Sequence, residues 1–247
     1  MKNSVEIIEP IKPFNKSISI EGDKSLSIRW ALLASQAIGK SKSSNLLKSE
    51  DVLSTLNCLK KLGIKIKLSN KFCEITGNGL NGFKYKKNLN LNAGNSGTLG
   101  RLIMGLLVHC KEKIKIIGDN SLSKRDFSRV SKPLRLFGAN FKTNLGKLPV
   151  TISGTKYPVP IKYFEKKGSA QCKSSIMLAA LNTKGETFIK AKKSRDHTEI
   201  LFKHLNLPIK ISKKKNYDLI RVRGKKNFKP LNYKIPSDIS SSAFFIV

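Results

Sequence analysis

Three stretches of the chain place a small residue, a cation four positions on, and then an apolar run with helical spacing. They are SLSIRWALLASQAIG from Ser25, GTLGRLIMGLLV from Gly97 and SAQCKSSIMLAALNTKG from Ser169. The cations Arg29, Arg101 and Lys173 recur at an interval of 72 residues, twice in succession. A second series runs in step, with SEDVLSTLNCLKKLG near Asp51, KRDFSRVSKPLRLFGA near Asp126 and SRDHTEILFKHLNLP near Asp196. Each member opens on Ser or a charge before Asp, continues with helically spaced apolar residues and stops near Gly or Pro, which predicts a capped helix. Alternating runs follow these helices: IKIKLS, ANFKTN and PIKIS, with FCEITG and LPVTISG beyond them. Their period of two predicts strands. The recurring unit therefore reads helix, strand, helix, strand, strand.

A unit that repeats at fixed period buries its apolar face against its own copies. Three α/β copies of about 70 residues predict one compact, pseudo-threefold domain over 21–231. Residues 1–20 and 232–247 fall outside the copies. The tail IPSDISSSAFFIV opens a further helix without a stop signal, so a truncated chain is expected.

Charge adds a class of partner. The chain carries 48 Lys and Arg against 16 Asp and Glu, a formal net charge of +32. Such a surface attracts nucleic acid, anionic membranes or phosphorylated metabolites, and bulk charge does not choose among them. Lys is spread along the whole chain among many Asn and Ile, the pattern of a compositional bias, so the total charge singles out no site. The longest apolar stretch, Leu102 to Cys110, is far shorter than the roughly 20 residues a bilayer requires. The opening MKNSVEIIEP lacks the apolar core of a signal peptide. Cys58, Cys73, Cys110 and Cys172 form no C-x-x-C pair and have no histidine at metal-ligand spacing, which predicts reduced thiols in the cytoplasm. With no metal-ligand cluster and no nucleotide-binding fingerprint, no metal and no cofactor are expected.

The helix starts are where chemistry enters. Unpaired N–H groups and the helix dipole stabilise negative charge at an N-terminus. In EGDKSLSIR, Lys24 and Arg29 add charge and Ser25 a hydroxyl; in NAGNSGTLGR the glycines permit close backbone approach; in GSAQCKS, Ser169 and Gln171 offer directional hydrogen bonds. Taken singly, each reads as simple capping. Three equivalent starts in a pseudo-threefold domain predict one donor-rich, cationic floor suited to phosphates and carboxylates.

These same segments resemble the bacterial 5-enolpyruvylshikimate-3-phosphate synthases. GDKSLSIR is similar to the family's GDKS-I-S-x-R, NSGT at Asn95 to Thr98 to its NSGT or NAGT loop, and GDNSLSKRD to G-D-x-S-L-x-K-R-P. SAQCKSSIMLAAL, SRDHTE and PSDISSSAFF resemble SAQ-x-K-S-A-x-L-L-A, SRDHTE and PGDISSAAFF. Six motifs in family order span the chain. The GDK, SAQ-x-K and R-x-H-x-E forms look most like the second class of these enzymes. The resemblance implies an α/β enolpyruvyl transferase fold of two similar domains, each of three βαβαββ-type units, with substrates in the cleft between them. It assigns 21–231 to the three-repeat domain, and 1–20 with 232–247 to the second.

The activity implied is transfer of enolpyruvyl from phosphoenolpyruvate to shikimate 3-phosphate with release of phosphate. Carried over motif by motif, Lys24 contacts both substrates, and Ser25, Arg29, Ser169, Gln171 and Arg195 hold shikimate 3-phosphate. Gly97 and Arg125 hold phosphoenolpyruvate, which Gln171 also reaches, and Asp238 matches the catalytic carboxylate. The bland role of Arg195 is pairing with Asp196 or Glu199; that of His197 is capping or packing, and Cys172 reads as a small core residue. Ser237 stands where the family has Gly, Asp126 where it has Pro, and Ile28 where His or Asn is frequent. An acid at 126 is expected to weaken the cation at Arg125. The implied partners are the two small substrates, with no membrane, a monomer at full length, and the 247-residue chain inactive alone.

Two other readings compete. The related transferase acting on UDP-N-acetylglucosamine places a reactive cysteine in a loop near GDNSLSKRD, and this loop contains none. A nucleic-acid-binding module is supported by the charge, but the sequence lacks aromatic interleaving, a helix-turn-helix pattern and any RNA-binding signature, so nucleic acid is not expected.

Overall fold

The computed structural model describes residues 17–224 and 226–245. The first copy begins with α1 (Lys24–Ala34), whose start is fixed by Asp23 Oδ1 accepting from the Leu26 amide at 2.7 Å. From Ser27 onward α1 is buried on every side, so it is a central helix and not an amphipathic surface one. Then come β1 (Ile38–Ser44), the amphipathic α2 (Glu50–Lys61), β2 (Lys65–Leu68) and β3 (Phe72–Asn78). The second copy is β4 (Leu89–Asn92), α3 (Gly97–Leu106), β5 (Ile114–Ile117), the one-turn α4 (Asn120–Ser123), α5 (Ser128–Arg135), β6 (Asn140–Asn144) and β7 (Lys147–Ser153). The third is β8 (Lys162–Glu165), α6 (Ala170–Leu181), β9 (Gly185–Lys192), α7 (His197–His204), β10 (Ile209–Lys213) and β11 (Tyr217–Gly224). A short β12 (Tyr233–Lys234) and α8 (Ile239–Ser242) close the description.

The three sheets have one design. Their orders are β12-β1-β3-β2, β4-β5-β7-β6 and β8-β9-β11-β10. In each, the first neighbours are parallel and the rest antiparallel. The helix-strand-helix-strand-strand unit read from the pattern thus lacks its opening strand. That strand is four residues in the second and third copies and two in the first, and it lies at a sheet edge. LNLN alternates, but like KYFE and YK it is too short for a period of two to mark a strand.

The opening strand of the first copy comes from the far end of the chain. Tyr233 and Lys234 pair with Ser43 and Ser44 of β1, and the Ile235 amide donates to Ser44 O at 3.0 Å. Trp30, fully buried, donates its indole N–H to Leu231 O at 2.8 Å, and the Leu231 amide donates to Ser41 Oγ at 2.9 Å. Residues 233–235 thus pair with the first sheet, where β1 would otherwise leave a bare edge over a buried core. Beyond them, the Asp23 amide bonds Pro236 O at 2.8 Å and the Asp238 amide bonds Glu21 O at 3.0 Å, so 21–23 and 236–238 run side by side. Of the segment 1–20, residues 1–16 lie outside the described residues.

Around the central helices the sheets turn one face inward. In β9, Thr187, Ile189 and Ala191 are buried while Phe188 and Lys190 are exposed. Helices α3 and α6 approach closely at Gly105 of α3, where a side-chain carbon would meet Ser175 O of α6 at 2.2 Å. Only Gly admits that contact, and Ser175 Oγ seals it by donating to Arg101 O at 3.0 Å. No described helix is long and apolar enough to cross a membrane.

Candidate active site

The first turns of α3, α6 and α7 and the second turn of α1 meet on one face. Gln171, in the first turn of α6, donates to Thr98 Oγ1 of α3 at 3.2 Å and accepts from Arg101 Nη1 at 2.7 Å. Arg29 of α1 donates from Nε to Thr198 Oγ1 of α7 at 2.7 Å. The repeat spacing thus places two of its three cations, Arg29 and Arg101, at junctions between copies.

The densest charge surrounds the start of α3. Ser96 caps the helix by accepting from the Leu99 amide at 3.2 Å. Arg101 is 5% exposed, lies with its guanidinium 5.0 Å from the Phe127 ring centroid, and donates from Nη2 to Asp126 O at 3.0 Å. Arg125 is braced by Asn95 Oδ1 at 2.8 Å and Ser121 Oγ at 3.4 Å. A side-chain carbon at Gly97 would lie 3.0 Å from Arg101 Nη1 and 3.3 Å from Arg125 Nη1, so both guanidinia bracket the bare backbone. Burial pushes the Arg101 guanidinium down to about 10, and the nearby charges of Arg129 and Arg125 push the same way. Like charges held together at a helix N-terminus make a receptor for an anion.

Asp126 does not occupy that receptor. Its Oδ1 accepts from the Ser128 amide at 2.7 Å and so serves the start of α5. Burial raises this carboxyl, but hydrogen bonds from Ser128 and the charges of Arg129 and Arg101 outweigh it and hold it below the usual carboxylate range. The expected weakening of Arg125 by Asp126 meets this geometry: among the described residues, Asp126 forms no ion pair with Arg125.

Between α1, α6 and α7 the polar groups are buried. Arg29, 5% exposed, spends Nη1 on Ser25 O at 3.0 Å and Nη2 on Ser174 Oγ at 3.5 Å, and Ser174 and Thr198 share a 2.6 Å hydrogen bond. Burial pushes Arg29 down to about 10, opposed by the charges of Glu199 and Asp23. Lys173 pairs with Glu199 Oε1 at 2.5 Å. Ser169 caps α6 by accepting from the Cys172 amide at 3.3 Å, while its own amide is held by Glu165 Oε2 at 2.9 Å.

On the side of the chain crossing, Lys24 reaches Asp51 Oδ2 at 3.3 Å with half of its side chain exposed. Asp238 caps α8 by accepting from the Ser240 amide at 2.9 Å, and the backbone pairing already described sets it beside Gly22 and Asp23. Ser237 uses its hydroxyl to donate to Ile20 O at 2.8 Å. Among the described residues no group of three or more His, Cys, Asp or Glu could hold a metal ion.

The family described as EPSP synthase (3-phosphoshikimate 1-carboxyvinyltransferase) matches residues 8–247. The chain belongs to the EPSP synthase family. It is 43% identical over 242 residues to the 3-phosphoshikimate 1-carboxyvinyltransferase of Vesicomyosocius okutanii, covering 98% of this chain and 54% of that protein. The Zymomonas mobilis protein of the same name is 38% identical over 238 residues, covering 95% of this chain and 52% of that one. A solved EPSP synthase from Acinetobacter baumannii superposes with a TM-score of 0.84 at 37% identity, over 93% of this chain and 51% of that chain. The chain spans about half the length of these relatives.

Within this EPSP synthase fold, the candidates Gly97, Arg125, Gln171 and Ser169 gather at the starts of α3 and α6. Lys24, Ser25 and Asp238 gather where α1 begins. Arg29 lies one turn beneath that surface. Arg195 is exposed and makes no hydrogen bond or ion pair among the described residues, because Asp196 pairs with Lys213 at 3.0 Å and Glu199 with Lys173. Its bland role is therefore not taken up. Cys172 is core as expected: it is 2% exposed, its Sγ donates to Arg129 O at 3.1 Å, and burial raises the thiol to about 12. The site residue missed from sequence is Arg101, although its place in the 72-residue series was the signal that could have found it.

Proposed function

We propose that this chain forms the substrate-binding wall of a 3-phosphoshikimate 1-carboxyvinyltransferase. The observation that carries the reading is the pair Arg101 and Arg125 closing on the bare backbone of Gly97 at the start of α3. Phosphoenolpyruvate, with its phosphate and carboxylate, is the anion for that receptor, held by Arg125, Gly97 and the amide end of Gln171, with Lys24 approaching from α1. Shikimate 3-phosphate lies across Ser25, Ser169, Gln171 and the exposed Arg195, with Lys24 at its other side and Arg29 supporting Ser25 from below.

The reaction is addition then elimination. A ring hydroxyl of shikimate 3-phosphate adds its oxygen to C2 of phosphoenolpyruvate, its proton passes to a base, and C3 gains a proton. C3 then gives up a proton and the C2–O bond to phosphate breaks, which restores the double bond. Asp238 is the base in this reading, and Lys24 with Arg125 offset the charge on phosphate and carboxylate. The reading includes a second domain of similar fold to which 1–20 and 232–247 belong, a monomer at full length in the cytoplasm, and no cofactor.

Calorimetry of the chain with shikimate 3-phosphate, shikimate and phosphoenolpyruvate tests it. Saturable binding of shikimate 3-phosphate is expected, at least about tenfold tighter than shikimate because charge-assisted hydrogen bonds to the phosphate are lost. Equal affinity for the two would sink the assignment.

A further inference from the structure

The outward face of the third sheet, away from the helix starts, repeats aromatic and cationic residues in two dimensions. One row across the strands reads Lys162, Phe188, Arg221, Lys210; the next reads Phe164, Lys190, Leu219. Each Phe therefore stands directly beside a cation on the neighbouring strand. The rings meet those cations: Lys190 Nζ lies 4.9 Å from the Phe164 centroid and 4.4 Å from that of Tyr217, and the Arg221 guanidinium lies 5.2 Å from that of Phe188. Phe164, Phe188 and Leu219 are 44%, 37% and 40% exposed, under a shallow depression of about 770 Å³. Among the outward positions of these four strands Glu186 alone is acidic, and Arg221 approaches it at 3.7 Å.

We propose that this sheet face is a binding platform for single-stranded nucleic acid, with Lys162, Lys190, Lys210 and Arg221 taking phosphates and bases stacking on Phe164 and Phe188. A single strand presents negative charge and π-faces at alternating positions, and the face presents their complements in the same alternation. The Lys190 stem is long enough for its ammonium to leave the ring for a phosphate oxygen, uncovering the ring for a base. Interleaving is absent along the chain because it is built across strands: β8, β9 and β11 each contribute one component of a row. An anionic bilayer would be met by the charge but makes no use of rings set between cations along each row. The face shares no residue with the proposed substrate wall, so the proposal stands apart from that reading.

Fluorescence anisotropy with labelled unstructured RNA and DNA oligonucleotides tests it, with inorganic polyphosphate as a baseless polyanion and anionic phospholipid vesicles as competitors. Phe164→Leu with Phe188→Leu is expected to weaken oligonucleotide binding about tenfold or more while leaving polyphosphate binding unchanged. Lys190→Gln with Arg221→Gln is expected to flatten the salt dependence by roughly 1.4 logarithmic units per decade of salt. Lys65→Gln with Lys67→Gln, a charge-matched change on β2, is expected to do little. Wild-type affinity in the aromatic pair, equal loss in the β2 pair, or polyphosphate competing as well as the oligonucleotide would overturn the platform and leave bulk charge. Vesicle binding that is tighter than oligonucleotide binding and lost in the aromatic pair would overturn it in favour of a membrane. Photocrosslinking of a bromouridine oligonucleotide to the unaltered chain gives an independent reading, with adducts expected in β8 and β9; adducts confined elsewhere would refute the assignment.

Discussion

Lys173 Nζ and Glu199 Oε1 lie 2.5 Å apart with their side chains 0% and 4% exposed, linking the first turn of α6 to the first turn of α7. Glu199 Oε2 and Arg29 complete the surroundings: the carboxylate has no hydrogen-bond partner there, and its charge acts on the Arg29 guanidinium. Burial pushes the Glu199 carboxyl above the usual range, against the pull of Lys173. The third copy thus uses its repeat cation for an internal ion pair, where the first two use theirs to join copies.

Lys173→Met leaves that carboxylate buried without its partner, and is expected to destabilise the chain by about 3–5 kcal/mol in urea unfolding. Lys173→Met with Glu199→Leu is expected to recover most of the loss. The sign with pH follows from the raised Glu199 carboxyl, whose contribution is complete below its unfolded pKa and is lost as pH rises through the folded one. The loss in Lys173→Met is therefore expected to grow from acid toward neutral pH. A loss independent of pH would mean Glu199 is not the cause.

Asp126 carries the opposite sign. Its carboxyl is held low, so its contribution is present above the unfolded pKa near 3.8 and disappears as pH falls through the folded value. Asp126→Asn is expected to flatten the acid limb of the stability curve below about pH 4 and to leave phosphoenolpyruvate affinity within a factor of about two. A large gain in affinity would show that Asp126 does screen Arg125.

Gly105→Ala places a carbon 2.2 Å from Ser175 O and must separate α3 from α6. Overpacking of this kind costs about 1–3 kcal/mol, more than the helix propensity gained. Thermal unfolding is the measurement, and an unchanged midpoint would mean the helices separate freely.

Arg125 and Arg29 are expected to separate binding from folding. Arg125 is exposed and, among the described residues, hydrogen-bonded only by Asn95 and Ser121, so Arg125→Ala should cost about 1.5–3 kcal/mol of phosphoenolpyruvate binding with little change in stability. Arg29→Ala removes two buried hydrogen bonds and one partly buried one, and should lower stability together with shikimate 3-phosphate affinity. Calorimetry and urea unfolding on the same preparations check both.

Asp238→Asn, in the chain carried to the length of its relatives, is expected to retain both substrates and lose most phosphate release, since the amide keeps the shape but accepts no proton. Near-normal release would leave Asp238 as the cap of α8 alone.

The sequence by itself determined the helices and their recurrence. Apolar runs after Ser25, Gly97 and Ser169 specify central helices because local periodicity and caps act within a few residues, and the 72-residue interval specifies equivalent copies. Family motifs named most of the residues at the helix starts. The tertiary structure decided what depends on contacts between distant segments. Strand β12, two residues long, has no signal of its own and exists because β1 and Trp30 need a partner. The roles of Arg29, Arg101 and Lys173 diverged although their spacing is identical, since each is set by the neighbour that packs over it: Thr198, Gln171 and Glu199. Asp126 turned to Ser128 and away from Arg125, and the aromatic rows of the third sheet formed only when β8, β9 and β11 were laid side by side. Periodicity is local and legible; pairing across the fold is decided by which surfaces must be buried together.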